Sequence, residues 1–217
     1  MNNLDGLKPI KLLPARERVA AALRKVILTK ELPAGTVITL EGIATQLGVS
    51  ITPVREAFQM LNREGLIIQR HNKGAEVLTL SRKFIQDHFE TRALLERECA
   101  AAVCRNGADI SDLEHIYENS IQDITAGDFS NVANYNQAFH FAIWDAAGND
   151  KVKALLSDMW NGFAPGHRVT EEEYAKRSIM EHKNIIEAIL AKNEGLAKEL
   201  MHAHIMRSRD AILTNHE

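Results

Sequence analysis

Several things are scarce in this chain, and each scarcity removes a class of protein. Only two of its 217 residues are cysteines, Cys99 and Cys104. They are five apart in a stretch of helical pattern, which puts them on different faces and matches no C-x-x-C redox or metal arrangement. They read as buried thiols. No apolar run approaches the roughly 18 residues of a membrane span. The N-terminal MNNLDGLKPIKLLPARER lacks a long apolar core and a small-residue cleavage site, so the expected location is the cytoplasm. Proline is sparse, and four of the five prolines precede residue 54. No short-period repeat or low-complexity segment is visible. What remains is an ordinary globular composition, 45% hydrophobic and 25% charged, in a chain long enough for a domain of about 70 residues and one of about 140.

The net charge of −3 is unevenly placed. Through residue 80 there are 11 Lys+Arg against 7 Asp+Glu, a balance of +4, and the remainder holds 15 against 22, a balance of −7. A basic end joined to an acidic one suits a DNA-binding head on a solvated partner domain, because phosphate neutralisation dominates affinity for the duplex.

Helical periodicity predicts a first helix from Ala15 to about Lys30, with Val19, Leu23, Val26 and Ile27 on one face and Leu32-Pro33-Ala34-Gly35 as its stop. Thr39 is placed to cap a short second helix with an apolar pattern at Ile43, Ala44 and Leu47 that ends at Gly48. Ser50 or Thr52 can cap a third of about eleven residues, with Pro53 in its first turn and Gly65 after its end. LIIQRHNKGAEVLTL then reads as two strands around His71-Asn72-Lys73-Gly74. From Ser81 onward the pattern is helical: about Arg82–Arg105, Ile110–Ala126, Ser130–Ala147, Lys151–Phe163, Glu171–Ala191 and Glu194–Thr214, separated by short gaps. The predicted fold is mainly α. A flexible N-terminus (1–14) leads into a winged helix-turn-helix (15–80), followed by an antiparallel six- to seven-helix bundle (81–217).

The tight Leu47-Gly48-Val49-Ser50 turn between two amphipathic helices is the core of a helix-turn-helix, whose second helix enters the major groove N-terminus first. Its first turn carries Ser50, Ile51, Thr52 and Arg55. QLGVSITPVREAFQMLNREGLI resembles the helix-turn-helix of the GntR family of bacterial regulators, and the resemblance runs from Arg16 to Leu80. It implies that Arg55 reaches a guanine edge or a phosphate, that Thr52 meets a phosphate, and that His71, Lys73 and Gly74 put the wing tip against the minor groove. Arg suits guanine because it can bond O6 and N7 bidentately. The plainer alternative for Arg55 is an ion pair on the helix surface, and for His71 a solvated loop. Glu41 and Ile51 stand where the family commonly has arginine, so the readout surface departs from the family pattern. Glu41 would repel phosphate or accept from a cytosine amino group, and Ile51 can touch only methyls and sugars.

In the second half His140, His182 and His204 lie in three different predicted helices, each on or beside an apolar stripe. A bundle could bring them together as a metal site, or each could be a separate satisfied histidine. Asn136-Gln-Ala-Phe-His140 with Asp145-Ala-Ala-Gly-Asn149, then Glu181-His182, then His204-Ile-Met-Arg-Ser-Arg, is similar to the FCD-type effector domain of the same family, over roughly Lys83 to Leu213. The resemblance implies a divalent metal held by Asn136, His140, His182 and His204 at the floor of a cavity, with a small carboxylate effector completing its shell, and a homodimer. Zn, Ni and Mn are not distinguished by these ligand types. Asn136 replaces the aspartate of metal-binding members and brings no charge, so the ion would keep its full +2. Arg92 matches an arginine that faces the cavity and pairs with the effector; its alternative is an i,i+4 ion pair with Glu96 on a solvated face. Asn119, one turn after His115, and Arg168 are further cavity candidates.

Together these readings describe a transcription factor, more often a repressor in this family, that binds operator DNA under control of a small organic acid. The competing readings are a hydrolase using a three-histidine metal centre and a DNA-binding protein without an effector.

Overall fold

The computed structural model of the chain describes residues 14–70, 74–160 and 170–214. Segment 1–13, His71, Lys73 and Arg168, together with the predicted helical stretch around Phe163, lie outside the described residues.

The N-terminal unit is α1 (Ala15–Leu28), β1 (Val37–Ile38), α2 (Leu40–Leu47), α3 (Ile51–Arg63), β2 (Ile67–Arg70) and β3 (Gly74–Val77). Thr39 caps α2 through a bond that its Oγ1 accepts from Gly42 N at 3.0 Å, and Gly48 closes it in the left-handed region at φ 63°. Ser50 is the N-cap of α3, and its side chain makes no capping bond; Thr52 lies inside the first turn. The helix runs 13 residues, two more than expected, ending at Arg63 with Glu64 as C-cap. Val54, Ala57, Phe58 and Leu61 face a core shared with Val19, Leu23 and Ile27 of α1.

The wing holds a strand that the sequence reading lacks. β1 pairs antiparallel with β3 in the register Val37↔Glu76 and Ile38↔Ala75, giving the sheet order β1-β3-β2. Two residues are too few for a period-2 pattern to register. The hairpin itself runs Ile67↔Val77 through Arg70↔Gly74.

The second unit comprises α4 (Arg82–Asn106), α5 (Ser111–Thr125), α6 (Val132–Ala147), α7 (Asp150–Met159), α8 (Glu171–Leu190) and α9 (Glu194–Leu213). α4, about 37 Å long at 1.5 Å per residue, lies along α9 and also touches α6, α7 and α8. Ser81 caps its start, accepting from Phe84 N at 3.0 Å. α8 begins in a capping box between Thr170 and Glu173. α7 ends earlier than periodicity suggests, because Trp160 turns extended (φ −65°, ψ 120°). Its aromatic ring then packs inward against Trp144 and Phe141. Cys99 and Cys104 are buried in α4. Burial first, and then the nearby Glu96 and Glu98 carboxylates, push the Cys99 thiol up to about 12, so it is inert at neutral pH.

The two units are not independent. Leu28, at the end of α1, packs within the core of the helical unit, and Leu80 and Phe84 touch both cores. Among the described residues no helix is long and apolar enough to cross a membrane.

Gly74 has a structural demand beyond its place at the wing. Its φ is +81°, and a Cβ there would sit 2.1 Å from the Ile38 carbonyl oxygen. Gly74→Ala is expected to destabilise the head by more than the ~1–2 kcal/mol of the left-handed backbone alone, with β1 displaced from β3. Denaturant unfolding of the full chain checks this, and an unchanged midpoint would contradict it.

Candidate functional sites

The first site is the exposed end of the helix-turn-helix. Glu41, Ser50, Ile51, Thr52 and Arg55 are all exposed, while the opposite side of α3 is core. A helix start leaves backbone N–H groups unpaired and carries a partial positive charge, which favours an anion. Here the first turn contains no acidic residue, and Ser50 does not use its hydroxyl as a cap. Among the described residues Arg55 pairs with no carboxylate, although its neighbour Glu56 approaches Arg16 at 4.0 Å. On the wing, Arg70 is held by Glu76 at 3.0 Å.

The second site is buried in the helical unit. His140 of α6, His182 of α8 and His204 of α9 each offer a nitrogen within 4.8 Å of the others. The supporting groups decide how those nitrogens are presented. His140 Nδ1 lies 2.5 Å from Glu96 Oε2, and Trp144 Nε1 donates to the same oxygen at 3.2 Å. Arg92 Nε donates to the other oxygen at 2.5 Å. His204 Nδ1 lies 2.6 Å from Glu181 Oε2, and Arg207 Nε holds that carboxylate at 2.7 and 2.8 Å. His182 stacks flat on Phe139, centroids 3.7 Å apart.

Each carboxylate accepts a proton-bearing Nδ1, which leaves Nε2 of both His140 and His204 as a lone pair. Those two Nε2 atoms face each other at 3.2 Å. Two lone pairs at that distance repel unless a cation lies between them. The separation is close to the ~3.4 Å edge of a tetrahedron built on 2.0–2.1 Å zinc–nitrogen bonds. His182 Nε2 is buried without a hydrogen-bond partner among the described residues. The donor set therefore fits a divalent transition metal.

Charge in this site is balanced in pairs. Burial alone would raise the Glu96 carboxyl, but Arg92 and His140 outweigh it and hold it at about 2. Glu181 is likewise held down against its burial by His204 and Arg207. Burial lowers the histidines: His182 goes well below the usual range, His204 falls to about 4 although Glu181 opposes the shift, and His140 is lowered against the pull of Glu96. All three rings are neutral at pH 7, the form that binds a metal.

The remaining candidates divide. Asn136 is buried one turn before His140. Arg92 forms its pair with Glu96 inside the protein rather than on a solvated face, and its guanidinium also lies 4.7 Å over the Trp160 ring. Asn119 is exposed on α5, as is His115, which faces Glu118 at 3.6 Å, so the structure does not bring Asn119 to the histidines. Glu96, Glu181, Trp160 and Arg207 were not recognised as parts of the site. The signals were Arg92 and Glu96 at i,i+4 and the adjacency of Glu181 to His182, but both patterns are common on solvated helices.

Comparison with known proteins gives a consistent pattern. The FCD domain profile matches residues 87–207, and that of bacterial regulatory proteins of the gntR family matches residues 15–77. The HTH-type transcriptional regulator YdhC of Bacillus subtilis is 27% identical over 93% of this chain and 92% of its own length. The gluconate operon transcriptional repressor of the same organism is 27% identical over 98% and 92%. The solved structure of McbR/YncC from E. coli superposes with a TM-score of 0.73 at 19% identity, covering 95% of this chain and all of that one.

The histidine cluster makes stability sensitive to acid. In the unfolded chain the rings take up protons near pH 6.5, whereas in the folded metal-free protein they stay neutral further down, His204 to about 4. Between those values the unfolded state binds more protons, so stability is expected to fall as pH drops from 6.5 toward 4, by up to about 1.4 kcal/mol per pH unit for each ring. Denaturant unfolding of metal-free protein at pH 7 and pH 5 measures the loss; equal midpoints would mean that the rings protonate in place.

Proposed function

The chain belongs to the gntR family of bacterial regulatory proteins, with an FCD effector domain, and from that premise we propose how this DNA-binding transcriptional regulator reads its operator and what controls it. It is a regulator rather than an enzyme, so the hydrolase reading of the histidines falls away. The proposed mode is repression from the cytoplasm by a homodimer, each head setting α3 in the major groove of one half-site.

In this reading Arg55 bonds a guanine edge, Ser50 and Thr52 meet phosphate, and Ile51 packs on a thymine methyl, with Glu41 biasing the edge of the site toward a cytosine amino group. The support is that all five side chains are exposed and that Arg55 is not taken up by a carboxylate among the described residues. His71, Lys73 and Gly74 are proposed to follow the adjacent minor groove.

The effector domain is proposed to hold a divalent metal such as Zn, Ni or Mn through His140, His182 and His204, with Asn136 as a neutral fourth ligand. The observation that carries this is the pair of Nε2 atoms at 3.2 Å, each imidazole anchored from behind by a carboxylate. When bound, the ion supplies a fixed positive charge, and with Glu96 offset by Arg92 and Glu181 by Arg207 that charge stays largely uncompensated. A small organic acid is therefore the effector class expected, meeting the ion with Arg92 beside it.

Selection of bound sites from random duplexes, with and without added Zn²⁺, tests the assignment. Arg55→Ala should weaken the selected site by roughly 5- to 150-fold and relax preference at one base pair, given about 1–3 kcal/mol for a bidentate arginine–guanine contact. A uniform loss across all sequences would instead make Arg55 a phosphate contact. For the metal, Glu96→Gln and Glu181→Gln should each weaken Zn²⁺ binding by about 10- to 100-fold, read by titration calorimetry. Wild-type protein that retains no metal and binds operator identically with and without it would leave the effector-independent reading standing.

A further inference from the structure

One charged side chain lies outside both sites and touches the structure of each. Arg24, on α1, is 1% exposed. Its Nε and Nη2 donate to the two oxygens of Glu64 at 2.7 and 2.6 Å, and Glu64 is the C-cap of α3. On its other side Nη1 donates to the Trp160 carbonyl and Nη2 to the Asp158 carbonyl at 2.8 Å. These acceptors belong to the end of α7, where the last carbonyls have no partner within the helix and a cation is favoured. His88 of α4 lies against the same turn, beside the Met159 backbone.

Trp160 faces two ways. Its carbonyl is held by the DNA-binding head, and its ring lies 5.3 Å from that of His140 and beneath the Arg92 guanidinium. A buried guanidinium cannot exchange lost partners for water, so it must keep its acceptors or leave a charge uncompensated. Its planar fork matches carboxylate geometry and tolerates little misalignment. If Trp160 shifts, Arg24 must follow it and carry α1 and the end of α3, or release one side.

We propose that Arg24 is a positioning residue, the latch through which a change at the histidine cluster reaches the DNA-reading helix by way of Trp160 and Glu64. This deepens the regulator reading and rests on it for the nature of the ligand. The coupling is defined by an effect on one site of binding at the other, so the readout must follow transmission as well as stability.

Amide hydrogen exchange by mass spectrometry on the full chain supplies it, comparing wild type, Arg24→Met and Glu64→Gln, first freed of metal and then with Zn²⁺ alone. Glu64→Gln keeps the arginine and its α7 acceptors, and so guards against a failure of Arg24→Met to fold. In the metal-free proteins, segments 18–28 and 58–66 should exchange at least tenfold faster in Arg24→Met, and less so in Glu64→Gln, with α8 and α9 unchanged; equal rates in the head of both variants overturn the latch. With Zn²⁺, the segments around His140, His182 and His204 should gain protection in all three proteins, while the head responds only in wild type. A head response of wild-type size in both variants overturns the route, as does a silent head in wild type whose histidine segments are protected. If Zn²⁺ protects nothing anywhere, the metal reading fails, and the metal-free comparison still decides whether Arg24 clamps the head.

Discussion

A carboxylate with no exposure to water at all, that of Glu96, sets the terms for its surroundings. An ionised group removed from solvent costs several kcal/mol unless it is paired and its remaining lone pairs are used. Arg92 takes one oxygen, and His140 and Trp144 share the other. Meeting that demand fixes the tautomer and direction of His140, and with it the placement of α6 against α4. Glu181 repeats the arrangement on the opposite side with His204 and Arg207. The histidines face each other because their far nitrogens are anchored, and the anchors hold because the charges behind them cancel.

That cancellation gives the buried site its chemical character. Neutral rings and offset carboxylates leave nothing to balance a divalent ion, and Asn136 adds no charge of its own. In a protein whose second half is acidic overall, the interior proposed to bind an effector is thus prepared for an anion. The surface charge and the site charge have opposite sense, and net charge alone would have pointed the wrong way.

The same buried layer runs on toward the head. Aromatic contacts connect His140 to Trp160 and Trp144 to Phe141, and the backbone at Trp160 meets Arg24. A packed layer of large rings transmits displacement because it has little free volume to absorb it. Leu28, seated in the core of the other unit, makes the junction apolar as well as ionic. The helix-turn-helix unit and the histidine-bearing unit are therefore in direct contact over a few residues.

Much of this was visible in the order of residues alone. Helices α1 to α9 appear in the 3.6 periodicity and in caps such as Thr39 and Gly48, because helix geometry is dictated by near neighbours. The GVS-x-TPVREA run marked the helix-turn-helix, and His140, His182 and His204 stood out on separate helices. Local pattern could not say that those rings converge, nor that Arg92 and Glu96 form an internal pair, since an i,i+4 pair reads the same on a wet face as on a buried one. It missed β1, which exists only because β3 lies beside it, and Arg24, which looks like any surface arginine of an amphipathic helix until α7 ends against it. Sequence determined which elements form and which residues carry chemistry, because backbone geometry and residue type are local. Tertiary structure alone decided which charges leave water and which partners they must then find, because burial belongs to the packed whole.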